Sequence, residues 1–267
     1  MTDRKLWRTG ASACFAGKMD ESVLEAYAKA EVKSTELSFK DAYFDEIEWD
    51  KLPLWMKNTG TEVWSIHLPF GRDNLNIAYI DNEVCKATMI RHKELISRAG
   101  NAGLKVVVVH PSSEPIPDEN RKLLLDRSAE NLGKLCEYAK EYGMQVAVED
   151  LPRTCLGNCK EDILYLLSQN PDLRVCFDTN HLLKETNEAF VRAVGDKIIT
   201  LHVSDYDFID EKHVFPGDGL IDWKALQGEL EAVNYNGPFM YELNPKDQDG
   251  RRTLEDLRAN HLHIMNL

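Results

Sequence analysis

Residues 145–149 read QVAVE, a short run of strand-forming apolar residues that ends on an acid. The same pattern recurs in RVCFD at 174–178, KIITLH at 197–202 and PFMYE at 238–242. Each segment ends on a side chain that can carry charge: Glu149, Asp178, His202 and Glu242. Stretches with helical spacing separate the segments. Because a polar residue stands at the same end of every segment, the pattern indicates one shared site rather than packing.

Strand-like and helix-like segments alternate along the whole chain. We predict strands at Leu6–Gly10, Thr35–Phe39, Glu62–Leu68, Lys105–His110, Gln145–Glu149, Leu173–Asp178, Lys197–Val203 and Pro238–Leu243. Several are continuously apolar and β-branched, which is typical of strands buried on both faces of a parallel sheet. Their number favours an α/β fold of the closed (βα)8 TIM barrel type. An open doubly wound sheet usually has about five or six strands and a glycine-rich first turn.

A helix is predicted after each strand from helical spacing and from start and stop signals. The predicted helices are Asp20–Ala30, Lys51–Thr59, Asn82–Gly103, Asp118–Tyr142, Lys160–Ser168, Lys184–Val194, Trp223–Val233 and Arg251–Met265. No low-complexity tract, long linker or shift in composition divides the chain. We therefore expect residues 1–267 to form a single barrel domain.

Composition narrows the function classes. The chain has no run of about 18 apolar residues, so no membrane span is expected. Its beginning lacks the apolar core of a signal peptide, which makes the cytoplasm the expected location. A formal net charge of −13 opposes a nucleic-acid partner held mainly through phosphates. Among the cysteines only Cys155 and Cys159 lie close together, and one such pair is a weak indication of zinc. The oligomeric state stays open, and a homo-oligomer is compatible with the sequence.

The strand-end residues predict a metal site. In (βα)8 barrels the active site lies at the carboxyl ends of the strands. Carboxylates and an imidazole that converge there would repel one another unless a cation lies among them. An oxygen-rich set with one nitrogen suits Mn²⁺, Mg²⁺ or Co²⁺ better than a structural thiolate zinc site. The predicted metal ligands are therefore Glu149, Asp178, His202 and Glu242. A salt bridge or a helix cap is the alternative role for each acid, and it competes most strongly at Glu36, after the second strand.

Histidines also concentrate at the predicted strand ends: His67, His110, His181, His202 and His213. Any one of them alone would be read as a hydrogen-bonded loop residue, but together they favour a substrate site. His181 lies three residues after Asp178 in the turn that leaves the strand, so both side chains can reach the same ligand. A histidine that caps the next helix is the alternative reading of His181.

Two arginines and one loop complete the candidate site. Arg72 and Arg153 follow strand ends and can meet an anionic group of a substrate, with surface salt bridges as the alternative use. The segment HVFPGDGLIDW at 213–223 predicts a loop that closes over the site, because its proline and glycines force a turn. Asp222 is expected to cap the helix that begins at Trp223.

These residues together resemble the xylose isomerase-like barrel superfamily of sugar isomerases, epimerases and endonuclease IV-type AP endonucleases. The shared motifs are VAVEDLP (146–152), CFDTNH (176–181), LHVSD (201–205), H-x-x-x-G-x-G (213–219) and MYEL (240–243). The ketose 3-epimerase branch implies one divalent metal on the quartet of Glu149, Asp178, His202 and Glu242. Mn²⁺ is the first choice, with Mg²⁺, Co²⁺ or Zn²⁺ as alternatives. The hydride-shift xylose isomerases are less similar, because Leu151 stands where they carry a lysine.

The resemblance implies a metal-dependent isomerase or epimerase of a small sugar, sugar phosphate or polyol. Glu149 and Glu242 would exchange a proton on opposite faces of the substrate through an enediolate. The expected substrate contacts are His181, His67, His110, Arg153 and His213.

Three alternatives stay open. One is a dehydratase or lyase of the same barrel type, and another is a catalytically silent sugar-binding barrel. The third is a zinc phosphodiesterase acting on abasic DNA. That branch carries three zinc ions, and this chain matches its ligand positions in type except that Glu211-Lys212-His213 replaces its Asp-x-His.

Overall fold

Eight parallel strands form the barrel of this protein. The structure, a computed structural model, describes residues 7–244, 246–247 and 250–267. The strands are β1 (Thr9–Ser12), β2 (Ser34–Leu37), β3 (Glu62–His67), β4 (Val106–Val109), β5 (Gln145–Glu149), β6 (Arg174–Asp178), β7 (Ile198–His202) and β8 (Phe239–Tyr241). They pair in the order β7-β6-β5-β4-β3-β2-β1-β8, and a parallel bridge from Val203 to Tyr241 links β7 to β8. The predicted (βα)8 TIM barrel is confirmed.

Helices cover the outside of the strands. They are α1 (Glu21–Lys29), α2 (Leu52–Thr59), α3 (Asn82–Asn101), α4 (Arg121–Glu141), α5 (Lys160–Gln169), α6 (Asn187–Val194), α7 (Trp223–Ala232) and α8 (Leu254–Met265). Two short strands, β9 (Lys246–Asp247) and β10 (Gly250–Arg251), pair antiparallel before α8. Among the described residues, no helix combines the length and the apolar character that crossing a bilayer requires.

The valines of β4 show why the strands carry continuous apolar runs. Val106 and Val108 pack inside the barrel with Ala147 and Cys176. The intervening Val107 and Val109 join the main core between strands and helices. Successive side chains of a strand point to opposite faces, so a strand buried on both faces needs an apolar residue at every position.

The first strand lies elsewhere than predicted. We expected Leu6–Gly10, whereas β1 runs from Thr9 to Ser12, and Leu6 is outside the described residues. All four residues of β1 are buried, although their small and polar types resemble a turn. Pairing with β2 and β8 makes them a strand, and no local propensity shows this.

Three helices begin three residues later than predicted. The helix α4 begins at Arg121 instead of at Asp118, because residues 118–120 form a 3-10 turn. The other two, α6 and α8, each begin after a residue that caps them. The Thr186 side chain accepts a hydrogen bond from the Ala189 amide, so α6 begins at Asn187 instead of at Lys184. Thr253 and Asp256 form a reciprocal capping box, so α8 begins after Thr253 instead of at Arg251.

Two irregularities in the barrel bring polar residues opposite one another. Between β2 and β3 the register shifts past Trp64, which leaves Glu36 paired with Ser65. A second shift between β6 and β7 leaves Asp178 paired with His202. Bulges of this kind re-aim side chains and are frequent next to active sites.

Two histidines away from the strand ends are buried against backbone carbonyls. His92 Nε2 lies 3.0 Å from the Pro69 oxygen, and His261 Nε2 lies 3.1 Å from the Trp7 oxygen. A carbonyl only accepts, so Nε2 donates in both cases. Burial lowers the pKa of each imidazole to about 4, from an ordinary value of 6.5.

We expect acid to destabilise the fold through these histidines. Because their folded-state pKa is lowered, the unfolded chain binds protons more readily between about pH 6.5 and 4. Above pH 6.5 neither histidine lowers the free energy of unfolding. As the pH falls from 6.5 to about 4, each one lowers it by an amount that reaches at most about 3 kcal/mol. His261→Gln should therefore flatten the pH dependence of the free energy of unfolding, measured with urea from neutral pH to about 4.5. The exposed His263→Gln on the same helix is the control, and equal slopes for both variants would contradict the prediction.

Candidate metal centre

The four predicted metal ligands meet at one end of the barrel. Glu149, Asp178 and His202 end β5, β6 and β7, and Glu242 directly follows β8. One oxygen or nitrogen atom from each lies within 4.8 Å of the others. His202 Nδ1 is 3.0 Å from Glu149 Oε1, 3.2 Å from Glu242 Oε2 and 3.9 Å from Asp178 Oδ2. The structure therefore brings the quartet together, and metal binding by it stays a prediction.

A divalent cation fits this quartet. Asp178 Oδ1 accepts a hydrogen bond of 2.7 Å from the Asn180 amide, but the buried Oδ2 has no hydrogen-bond partner among the described residues. An unsatisfied buried carboxylate oxygen is costly, and a cation beside it would remove that cost. Carboxylate oxygens with one imidazole also form a donor set that hard and borderline divalent ions accept.

The pKa values of two acids of the quartet are shifted in opposite directions. Burial raises the pKa of Asp178 to about 6. Burial acts in the same direction on Glu149, but the neighbouring His202 and His110 outweigh it and hold the pKa of Glu149 well below its usual range. A bound cation would favour the ionised form of Asp178, so metal binding should release protons.

Two further histidines, outside the quartet, contact the second carboxylate oxygen of Glu149. His67 Nε2 lies 3.0 Å and His110 Nε2 lies 3.2 Å from Glu149 Oε2. His67 Nδ1 also lies 2.9 Å from the Leu68 carbonyl, which fixes its ring. Burial lowers the pKa of His67, but its hydrogen bond to Glu149 and the negative charges of Glu149 and Glu36 together outweigh burial, and the net shift is upward. Burial lowers the pKa of His110.

A third cluster lies beside the quartet and contains His181, Glu211 and His213, whose ligand atoms lie within 4.8 Å of one another. His181 Nε2 is 3.3 Å from Glu211 Oε1 and 3.4 Å from Asp178 Oδ2, so His181 does face the same space as Asp178. Its Nδ1 donates to the Asp150 carbonyl at 2.8 Å. His213 Nδ1 lies 3.2 Å from the Glu242 carbonyl oxygen.

The predicted arginines lie at the mouth, in salt bridges. Arg153 contacts Glu114 at 2.7 Å, Asp210 at 2.8 Å and Glu211 at 3.1 Å. It therefore ties three loops together, and a substrate contact for it stays a prediction. Arg72 is exposed and lies 3.7 Å from the carboxylate of Asp73.

A cavity of about 390 Å³ opens above these residues. This volume is within the range of small-molecule sites, roughly 300–1,000 Å³. Phe70, which the sequence reading missed, stacks on His110 with ring centroids 3.8 Å apart and remains 53% exposed at the mouth. Cavities of about 440 and 550 Å³ lie elsewhere on the surface, but both are away from the strand-end residues.

Asp205, in the LHVSD motif, is a second residue whose role the sequence reading missed. Its buried carboxylate accepts hydrogen bonds from the amides of Gly217 and Ile221 and from Trp223 Nε1, at 2.8, 3.2 and 2.8 Å. One aspartate thereby holds the loop that carries His213. An acid just after a strand and ahead of a PGDG turn was the available signal. The predicted cap is confirmed, because Asp222 accepts from the Ala225 amide at 3.0 Å.

The profile described as "Xylose isomerase-like TIM barrel" matches residues 24–260. The chain belongs to this family. An uncharacterized protein of Methanocaldococcus jannaschii is 30% identical over 210 residues, which cover 75% of this chain and 70% of that protein. The fructoselysine 3-epimerase of Escherichia coli O157:H7 is 31% identical over 147 residues, 50% of this chain and 52% of the enzyme. The chain thus aligns with only about half of that epimerase.

A solved structure supports the barrel fold of this family member. The crystal structure of a D-tagatose 3-epimerase-like protein superposes with a TM-score of 0.81 at 24% identity. The match covers 97% of this chain and 98% of the other. At this level of identity the likeness shows the fold alone.

A pair of glycine substitutions tests how the loop over the site is held. A Cβ at Gly219 would lie 2.2 Å from Asp205 Oδ1 and 2.5 Å from the Tyr206 oxygen, whereas one at Gly228 would meet nothing within 4 Å. Gly219→Ala should lower the free energy of unfolding by about 1–3 kcal/mol and increase hydrogen exchange in residues 206–222. Gly228→Ala, in the exposed face of α7, should raise it by about 0.5–1 kcal/mol. Equal effects of both substitutions would contradict this account of the loop.

Proposed function

We propose that this protein is a divalent-metal-dependent isomerase or epimerase of a small sugar or polyol that carries a carbonyl group. The observation that carries the proposal is the convergence of Glu149, Asp178, His202 and Glu242 beneath a cavity of about 390 Å³. The similarity to fructoselysine 3-epimerase supports a sugar substrate. Mn²⁺ is the proposed ion, with Mg²⁺, Co²⁺ or Zn²⁺ as alternatives.

When bound, the cation would polarise the substrate carbonyl and offset negative charge that develops on its oxygen. The chain itself supplies the acid and the base. The side chain of Glu242 is 20% exposed and lines the cavity, whereas Glu149 is 1% exposed and is held by three histidines. One carboxylate removes the proton from the carbon next to the carbonyl, and the other returns a proton to the opposite face. The substrate passes through an enediolate. Return of the proton to the same carbon inverts its configuration, whereas return to the former carbonyl carbon moves the carbonyl, with the neighbouring hydroxyl losing a proton and the former carbonyl oxygen gaining one.

Both glutamates are suited to act as bases at neutral pH. Burial raises the pKa of Glu242, but His202, His213 and His67 together outweigh it and the net shift is downward, as it is for Glu149. Each therefore stays ionised while it waits for substrate. When a glutamate takes up the substrate proton, the neighbouring histidines can share that proton through the hydrogen bonds of the cluster.

His181 is the proposed donor to the substrate oxygen. Burial lowers its pKa, but Asp178 and Glu211 outweigh burial and hold the pKa well above its usual value. Both ring nitrogens then carry protons. Nε2 faces the cavity, where a substrate oxygen would compete for its proton with Glu211 Oε1 at 3.3 Å. A donor aimed at an oxygen that gains charge in the reaction stabilises the transition state. The other proposed substrate contacts around the cavity are His67, His110, Arg153 and His213, together with Phe70, which presents its ring to the sugar face.

Deuterium exchange tests this mechanism directly. With D-fructose, D-tagatose and D-psicose in D₂O, the Mn²⁺-loaded protein should exchange the hydrogen next to the carbonyl, as followed by proton NMR. Removal of the metal with EDTA should abolish exchange, and Mn²⁺ should restore it. Glu149→Gln should slow exchange by about 10²–10⁴-fold because it removes one acid–base group.

The matched control for Glu149→Gln is Glu62→Gln, at the opposite end of the barrel, which should exchange at the wild-type rate. Exchange that persists equally in EDTA would show the mechanism to be wrong. Products that have lost water would instead assign the protein as a dehydratase working from the same site.

A zinc phosphodiesterase is the second candidate, favoured by one observation. Of the four possible ligand groups among the described residues, three contain only histidines and carboxylates, and two of these three share Glu149: His67–His110–Glu149, the quartet, and His181–Glu211–His213. Glu211 thus places a carboxylate with the two histidines, although the related branch has an aspartate in that motif. The net charge of −13 disfavours binding to a DNA backbone.

Metal stoichiometry separates the two candidates. After loading with Zn²⁺ and dialysis, we expect elemental analysis to find one tightly held ion per chain and no cleavage of duplex DNA containing an abasic site. Glu211→Gln should leave this stoichiometry unchanged, because Glu211 is outside the quartet. Three ions per chain, a loss of one ion in Glu211→Gln and cleavage of abasic DNA would reverse the assignment.

A further inference from the structure

We infer that Glu36 is a positioning residue for His202. Its buried carboxylate selects the ring tautomer that presents the Nδ1 lone pair to the quartet, and thereby increases the affinity of the site for a divalent cation. The inference rests on the metal site of the proposed function.

The contacts of His202 divide between its two ring nitrogens. Nδ1 faces the quartet, 3.0 Å from Glu149 Oε1 and 3.2 Å from Glu242 Oε2. Nε2 points the opposite way, 2.9 Å from Glu36 Oε1. Both His202 and Glu36 are fully buried, so water does not compete for this contact. The ring is therefore held between Glu36 on one side and the quartet on the other.

The direction of the hydrogen bond follows from the chemistry of its partners. A carboxylate oxygen can only accept, so Nε2 must carry the proton that it shares with Glu36. Nδ1 also lies 3.0 Å from a carboxylate oxygen, Glu149 Oε1, so without a cation it donates a proton there as well. Binding of a cation displaces the Nδ1 proton, and a ring that keeps its Nε2 proton on Glu36 then presents the Nδ1 lone pair to the quartet. With the opposite tautomer, two lone pairs would face each other between Nε2 and Glu36, and a proton would block the metal position.

Glu36 is itself fixed, and both of its oxygens are engaged. Oε2 accepts a hydrogen bond of 2.7 Å from Ser65 Oγ, and Ser65 is fully buried. The register shift between β2 and β3 makes Ser65 the neighbour of Glu36 across the strands. Because one oxygen serves Ser65 and the other serves His202, Glu36 does not act as a further quartet acid. Its charge instead increases the electron density on the imidazole, as a carboxylate behind a metal-bound histidine does.

A purely structural ion pair would give a different result in experiment. If Glu36 only stabilised the fold, its replacement would lower the free energy of unfolding and leave the affinity of the folded protein for metal unchanged. A positioning role changes metal affinity and the tautomer of His202, and neither readout needs a substrate or an activity.

The test compares Glu36→Gln with Ser65→Ala and with a control, Glu62→Gln. Glu62 is the first residue of β3 and lies at the end of the barrel opposite the quartet. Dissociation constants for Co²⁺ and Zn²⁺ are measured by competition with a chromophoric chelator, and circular dichroism reports folding. We expect the dissociation constant of Glu36→Gln to rise by about 10–100-fold, the usual effect of removing such a partner. Ser65→Ala should fall between this variant and the wild type, and Glu62→Gln should match the wild type.

The second measurement is made on the wild-type protein. Nitrogen-15 NMR of histidine-labelled, Zn²⁺-loaded protein should show His202 protonated at Nε2 and not at Nδ1. A proton on Nδ1, or a Glu36→Gln affinity within twofold of the wild type, would overturn the inference. Should Glu36→Gln fail to fold, the wild-type tautomer and the Ser65→Ala affinity decide the matter.

These readouts separate the inference from the proposed function. Unchanged metal affinity in Glu36→Gln together with normal deuterium exchange in the wild type would overturn the role of Glu36 alone. A protein that binds metal in a Glu36-dependent way but exchanges no substrate hydrogen would overturn the proposed activity alone.

Discussion

Buried carboxylates need positive charge or hydrogen-bond donors around them, and this requirement organises the mouth of the barrel. The acids there are compensated in different ways. Glu149 is surrounded by histidine nitrogens, and Asp205 collects amide and indole N–H groups from one loop. Glu211 lies between an imidazole and the guanidinium of Arg153. Asp178 Oδ2 is the acceptor of the quartet left without a hydrogen-bond donor among the described residues, and it marks the place where a cation fits.

The same requirement links the quartet to the loops that surround the cavity. Arg153 joins its own loop, after β5, to two others, because Glu114 follows β4 while Asp210 and Glu211 both follow β7. Glu211 also reaches the imidazole of His181. Asp205 holds the loop after β7, and in that loop His213 Nδ1 lies 3.2 Å from the backbone carbonyl oxygen of Glu242. A change of charge at the quartet therefore acts on groups that also shape the cavity. The barrel strands form a rigid base, and the polar contacts between loops define the space above it.

Particular residues show how far the sequence could be read. QVAVE matches β5 residue for residue, and β6 and β7 lie within one residue of their predicted bounds, because apolar β-branched runs leave little choice for buried parallel strands. The quartet could be predicted for the same reason, since the carboxyl ends of parallel strands meet at one rim. By contrast, β1 was displaced, because its small residues become a strand only through pairing with β2 and β8. Arg153 forms salt bridges, the alternative use that the sequence left open, with partners from loops whose contacts the sequence does not place. A substrate contact for it stays a prediction.

By itself, the amino-acid sequence determined the barrel, the end of it that carries chemistry, and the four side chains that converge there. It did so because strand periodicity and strand-end position are local properties of the chain. Only the tertiary structure decided which residues contact these side chains on the side away from the cavity. Glu36 lies 166 residues from His202 along the chain, and a register shift of one residue aligns it with Ser65. Such contacts depend on how strands pair across the barrel, and no local pattern in the sequence encodes that pairing.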